Sequence, residues 1–202
     1  MKYPNTRILI FIKSPIVGTV KTRLIPDLTA QQACDIYCQL LTHVFDTLDN
    51  ANLCPIECWC SPNTQDPFIQ SLTQAPFYQS YQQIAGDLGD KMYFAAKQGL
   101  QRAEKVVLIG ADCPPLTADY IEQAIKALDQ VKMVAGPSDD GGYVLLGLNQ
   151  AKKAYFENIA WGTSRVLATT KNRLPANEYT ELEPLWDLDT FADLQRWQAQ
   201  SN

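Results

Sequence analysis

In Val106-Val107-Leu108-Ile109-Gly110-Ala111-Asp112-Cys113-Pro114-Pro115, four aliphatic residues run without a break and then stop at a glycine. Such a run predicts a strand buried on both faces, as in the middle of a parallel sheet. The two prolines end strand pairing, so Asp112 stands in a loop just past the carboxyl end of that strand. In open α/β sheets, ligands bind in the crevice beyond the carboxyl ends of the strands. A carboxylate there is a candidate to hold a metal ion or a polar ligand. The same residues also describe an ordinary turn, in which Asp is common.

Working outward, Arg7-Ile8-Leu9-Ile10-Phe11-Ile12 is a second apolar run suited to a central strand. It opens into Lys13-Ser14-Pro15-Ile16-Val17-Gly18-Thr19-Val20-Lys21-Thr22-Arg23-Leu24. Gly18 lets backbone approach a ligand closely, and cations at Lys13, Lys21 and Arg23 suit a polyphosphate. The spacing is not that of a Walker A loop. A basic loop also serves as solvated surface, but its place after the first strand favours phosphate binding. Over residues 29–50, Ala33, Ile36, Tyr37, Leu40, Leu41, Val44, Phe45 and Leu48 form one helical stripe, with Thr29 as N-cap. His43 reads as a surface or packing residue of that helix. Further strands are expected at 56–60, 77–81, 132–136 and 144–148, with helices ending at Leu100 and spanning 117–128. This alternation predicts a three-layer α/β/α sandwich on a mixed, mostly parallel sheet. With 46% hydrophobic residues, the 202-residue chain can bury a core, and residues 1–202 are expected to form a single domain.

Four loops carry further polar candidates. Gly86 and Asp87 lead into a helix that Asp87 would cap. Asp139-Asp140-Gly141-Gly142-Tyr143 lies between two apolar runs and predicts a hairpin turn, although its carboxylates and tyrosine also suit acceptor or metal binding. Trp161-Gly162-Thr163-Ser164 precedes a helix that Thr163 or Ser164 would cap, and a helix start offers free N–H groups to an anion. Asp187 and Asp189 alternate around Leu188, so their carboxylates share one side. Paired oxygens suit a hard cation such as Mg²⁺ or Mn²⁺. An acidic cap before the last helix, with Thr190 and Asp193 at N-cap and N3 spacing, accounts for the same segment.

The net charge of −5 argues against a general nucleic-acid or anionic-membrane surface. No apolar run approaches the roughly 20 residues of a membrane span. The first residues lack a small-residue cleavage site, and a cytoplasmic protein is expected. Cys54, Cys58 and Cys60 match no common zinc spacing, and buried free thiols are the expectation for all six cysteines.

Taken together and in order, Phe11-x-Lys13-x-Pro15-x-x-Gly18-x-Val20-Lys21-Thr22-Arg23-Leu24, Gly110-Ala111-Asp112-Cys113-Pro114, Asp140-Gly141-Gly142-Tyr143-x-Leu145-x-Gly147 and Trp161-Gly162-Thr163-Ser164 resemble a known family. It is the glycosyltransferase-like family of radical-SAM/selenodomain-associated transferases, in the nucleotide-diphospho-sugar transferase superfamily. The likeness spans nearly the whole chain. Wider relatives include sugar nucleotidyltransferases, molybdenum-cofactor nucleotidyltransferases and a guanylyltransferase of coenzyme F420 synthesis. The resemblance implies the glycosyltransferase A (GT-A, Rossmann-like) fold and a transferase that uses a nucleotide-activated donor, a small-molecule acceptor and Mg²⁺ or Mn²⁺. Lys13, Gly18, Lys21, Thr22, Arg23, Gly86, Asp87 and Asp112 would bind the nucleotide. Asp112, Asp187 and Asp189 would hold the metal. Asp140, Gly141, Gly142, Tyr143 and Trp161 would line the acceptor side, with Asp112, Asp140 and Lys21 nearest the chemistry. Many glycosyltransferases carry Asp-x-Asp at the end of the central strand, whereas Gly110 occupies the first of those positions here. A lone Asp112 suits a nucleotidyltransferase releasing pyrophosphate as well as a glycosyltransferase, and a non-catalytic binding module is the third expectation.

Overall fold

Alternating apolar runs pair into one seven-stranded sheet. The structure, a computed structural model, describes residues 1–200. Strands β1 (Thr6–Lys13), β2 (Ile56–Ser61), β3 (Tyr78–Gln82), β4 (Lys105–Ile109), β5 (Met133–Pro137), β6 (Tyr143–Leu148) and β7 (Tyr179–Glu181) lie in the order β3-β2-β1-β4-β6-β5-β7. The run at 106–109 is thus the central strand, as its composition predicts. Only β6 runs against its neighbours, because the Asp-Gly-Gly turn folds it back on β5 as a hairpin. The other pairs are parallel.

The helices are α1 (Ala30–Ala51), α2 (Pro67–Leu72), α3 (Leu88–Gly99), α4 (Ala118–Ala127), α5 (Val166–Lys171) and α6 (Phe191–Gln200). Successive strand residues face opposite sides. Ile8, Ile10, Ile12, Val107 and Ile109 therefore pack with Tyr37, Leu41 and Val44 of α1 and Ile121, Ala124 and Ile125 of α4. Leu9, Val106 and Leu108 face the other layer, with Met92, Ala95 and Ala96 of α3 and Tyr155 and Phe156. A third, smaller core gathers Leu24, Ala33, Leu40, Trp186, Leu188 and Leu194. It joins the basic loop, α1 and the C-terminal segment.

Local capping chemistry behaves as expected in α1, α3 and α4. The Thr29 hydroxyl accepts from the N–H of Gln32, Asp87 from that of Asp90, and Thr117 from that of Tyr120. Thr190 and Asp193 form the reciprocal pair at the start of α6. The expectation for α5 is corrected: the helix begins at Val166, after Arg165, with no side-chain cap. Thr163 instead donates to the Ala160 carbonyl and accepts from the Arg165 N–H, closing a turn ahead of the helix. Strand β7 is three residues long and carries no periodicity that a sequence reading could detect. All six cysteines are free, and five are buried. His43 packs against Trp197, and its Nε2 lies 2.9 Å from the carbonyl oxygen of Pro114, just behind Asp112. Among the described residues, no helix is long and apolar enough to cross a membrane.

Candidate active site

Strands β1 and β4 are parallel neighbours, with Ile10 opposite Ile109, so their following loops emerge side by side. From β1 the chain builds β2 and β3 on one side, then returns to place β4 on the other. This reversal is the switch point where α/β sheets open a crevice. A cleft of about 540 Å³ lies there, bounded by Phe11–Lys13, Thr19–Arg23, Gly110–Asp112 and Asp189. Lys13, Lys21, Arg23 and Lys91 line it against the carboxylates of Asp112 and Asp189. The cleft is therefore cationic on balance in a chain that is acidic overall.

Lys21 sits at the focus. Its backbone adopts the left-handed conformation, with φ 46°, which a non-glycine residue rarely holds without tertiary support. Leu24 supplies that support from the third core. The Lys21 side chain is only 6% exposed. Its ammonium donates to Asp112 Oδ2 at 3.2 Å, Asp189 Oδ1 at 3.3 Å and the Leu188 carbonyl at 2.6 Å. Arg23 reaches the second oxygen of Asp189 at 2.6 Å. Gly18 takes φ 81°, a region that suits glycine at the loop tip.

The C-terminal carboxylates arrive by a non-local route. Strand β7 runs beside β5, and the chain continues along it through hydrogen bonds from Leu182 N to Ala135 O and Leu185 N to Pro137 O. It then crosses to the central strand, where Leu188 N donates to the Asp112 carbonyl at 2.8 Å. Leu188 is buried, and Asp187 and Asp189 flank it half-buried, as the alternation predicts. Burial, together with the negative charges of Asp112 and Asp189, pushes the Asp187 carboxyl up to about 8, against the pull of Lys21.

The donor chemistry fits a hard divalent ion, which takes carboxylate and carbonyl oxygens; burial first, and the charges of Asp112 and Asp189 after it, favour a proton on Asp187. The expected ligand geometry needs a correction, however. Among the described residues, no three Asp, Glu, His or Cys side chains converge as a metal-ligand group. Asp112, Asp187 and Asp189 are brought together, but the ammonium of Lys21 lies between Asp112 and Asp189.

The remaining candidates divide. Lys13, Thr22 and Arg23 line the cleft. Gly86, with φ 125°, and Asp87 form the start of α3, where Asp87 and Asp90 cap reciprocally. Asp140 closes the hairpin turn by accepting from Gly142 N and Ser138 Oγ. Gly141, with φ 86°, packs so tightly on Ser164 that a Cβ would collide with its backbone. Tyr143 turns inward, contrary to the expectation of an acceptor contact. Its ring packs in the second core, edge-on to Trp161, with the hydroxyl enclosed. Trp161 lies over Gly89 at the start of α3, where a Cβ would meet its ring at 3.0 Å and the Phe156 carbonyl oxygen at 2.5 Å. Neither aromatic residue is brought to the cleft.

Three cleft residues escaped the sequence reading. The Tyr37 hydroxyl accepts from the Lys13 N–H at 2.9 Å, yet in sequence Tyr37 is one more apolar position of α1. Gln83 donates its amide to the carbonyls of Trp59 and Ile12, which ties the loop after β3 to β1 and β2. Lys91 lies one helical turn beyond the Asp87 cap, a spacing that could have flagged it.

Comparison with known proteins agrees with this architecture. A crystal structure from Desulfovibrio desulfuricans G20, named provisionally as a nucleotide-diphospho-sugar transferase, superposes with TM-score 0.83 and 26% identity, covering 93% of this chain and 83% of that one. The 4-diphosphocytidyl-2C-methyl-D-erythritol synthase of Anaerococcus prevotii DSM 20548 shares the fold at TM-score 0.62 and 12% identity, covering 98% of each chain. A manganese complex of Rv0371c from Mycobacterium tuberculosis H37Rv does so at TM-score 0.55 and 14% identity, covering 96% of this chain and 98% of that one. The sheet and its flanking helices thus form the nucleotide-diphospho-sugar transferase fold. No curated protein matches the chain. The family described as "Uncharacterized protein conserved in bacteria (DUF2064)" matches residues 44–163, which include Gly110–Asp112 and the Asp140–Tyr143 turn but neither the basic loop nor Asp187 and Asp189. That match covers more than half of the chain, and the protein belongs to this bacterial family, DUF2064.

Proposed function

We propose that this protein is a divalent-cation-dependent transferase that uses a nucleotide-activated donor, moving a sugar from a nucleotide-sugar to a small acceptor. One observation carries the reading: residues 21, 112 and 189, far apart in the chain, meet at the floor of a basic cleft at the switch point of the sheet. Lys13, Lys21 and Arg23 would neutralise the donor's phosphates as the bond to the leaving group breaks. Charge stabilisation of this kind is among the largest contributions to such reactions. Asp112, Asp187 and Asp189 would hold Mg²⁺ or Mn²⁺, which supplies Lewis-acid stabilisation of the diphosphate when bound. Asp140, Gly141 and Gly142, on the turn between β5 and β6, are the proposed acceptor side.

Gly110 favours a second reading, nucleotidyl transfer from a nucleoside triphosphate. A Cβ at this position would lie 2.7 Å from Asp112 Oδ1, so the backbone beside Asp112 accommodates no second acid while Asp112 stays in place. Incubation with a panel of nucleoside triphosphates and nucleotide sugars, with Mn²⁺, separates the two. A released nucleoside diphosphate supports sugar transfer, and released pyrophosphate supports nucleotidyl transfer. Nucleotide binding without turnover across the panel would instead identify a binding module.

The same contact yields a prediction for Gly110→Ala. The added methyl displaces the Asp112 carboxylate from its present position, and misplacement by about 1 Å costs on the order of tenfold to a hundredfold in rate. The melting temperature should hardly move, because the displaced group is half-exposed. Wild-type turnover in this variant would show that the position of Asp112 is not critical.

A further inference from the structure

Lys21 is the buried cation of the carboxylate cluster, whereas Lys13 and Arg23 of the same loop are exposed. Its ammonium touches one oxygen of Asp112, one of Asp189 and the carbonyl of Leu188, at 2.6–3.3 Å. Two carboxylates and a backbone carbonyl are the donors a hard divalent ion takes. The ammonium thus satisfies the same oxygens with one positive charge instead of two. Lysine is a compact charge on a flexible four-carbon stem, and Lys21 lines the open cleft.

We propose that Lys21 is an internal counter-ion that the divalent cation displaces from Asp112 and Asp189, releasing its ammonium to the donor's diphosphate. The inference rests on the divalent-cation reading of the site given above. No covalent bond changes in the exchange. One oxygen-bound cation replaces another, and the freed ammonium exchanges carboxylate for phosphate oxygens. A divalent ion entering alone must displace Lys21 without compensation, whereas an ion arriving with a diphosphate provides Lys21 with a new partner. Metal and polyphosphate binding are then positively coupled, and the coupling is reciprocal.

The test measures Mn²⁺ affinity, without donor or acceptor, from the electron paramagnetic resonance signal of free Mn²⁺. In Lys21→Met, Mn²⁺ is expected to bind about tenfold tighter than in the wild type, or better, because no resident cation competes. Arg23→Met also removes one positive charge beside Asp189 but from an exposed position, and its gain should stay below about threefold. Equal gains in the two variants would report net charge alone and overturn the exchange. Unchanged or weaker Mn²⁺ binding in Lys21→Met would overturn it as well. Absence of Mn²⁺ binding in every protein, wild type included, would overturn both the exchange and the divalent-cation reading. The unsubstituted protein gives a second measurement if Lys21→Met fails to fold. The ¹⁵N resonance of the Lys21 ammonium should move on titration with Mg²⁺ and inorganic pyrophosphate, and a resonance that stays fixed at saturation contradicts displacement.

Discussion

Replacing Asp112 by asparagine is expected to lower turnover of a nucleotide-activated donor by about 10²–10³-fold, the usual cost of removing one preorganised charge-stabilising group. Asparagine preserves the shape of the side chain but removes the negative charge that faces Lys21 and would face the metal. The fold should tolerate the change. The Asp112 side chain is 44% exposed, and a partly exposed ion pair contributes at most about 1 kcal/mol. Lys21 also keeps its bonds to Leu188 and Asp189. The melting temperature should therefore shift by no more than about 4 °C. Thermal-shift titration with nucleotide, with and without Mn²⁺, reads binding separately from turnover, since a ligand of the folded state raises its stability. Wild-type Mn²⁺-dependent binding and turnover in Asp112→Asn would remove the central support for the proposed site.

Leu188→Ala has the largest expected effect on stability. Leu188 is fully buried in the small core with Leu24, Ala33, Leu40, Trp186 and Leu194. Truncating a buried leucine leaves a cavity and costs about 2–5 kcal/mol. For a chain of this length, a mid-range loss lowers the melting temperature by roughly 7–14 °C. Function should suffer beyond that loss. The same core seats Leu24 of the basic loop, and the Leu188 backbone links Lys21 to the Asp112 carbonyl. Leu48→Ala, in the main core near the far end of α1, provides the comparison. Both variants should lose comparable stability. Leu188→Ala alone should weaken Mn²⁺-dependent nucleotide binding at temperatures where both remain folded. Equal binding in the two variants would show that the third core is only structural.

Much of the frame was legible because it is local. Four aliphatic residues at 106–109 identify the central strand without reference to any other part of the chain. Thr29, Asp87 and Thr117 announce their helices because an N-cap depends only on the next few residues. The Asp-Gly-Gly turn announces the hairpin for the same reason. Where the signal was weak or shared, the reading erred. Thr163 and Ser164 look like caps, but the turn they belong to ends before the helix begins. Tyr143 follows a polar turn, yet burial in the second core claims its ring.

The alternating α/β frame is written in the residues alone, as are the cations Lys13, Lys21 and Arg23 of the loop after β1 and the carboxylates at 112, 187 and 189. Tertiary structure alone decided that these pieces meet, and how. The partners Lys21 and Asp112 are 91 positions apart, and Lys21 and Asp189 are 168 apart. Strand order, the short parallel β7 and the small core around Leu188 bring them together, and neither strand order nor β7 leaves a periodic trace in the chain. The physical reason is that periodicity and capping report free energies won between near neighbours. The placement of an ammonium between two distant carboxylates is won only after the whole sheet has closed.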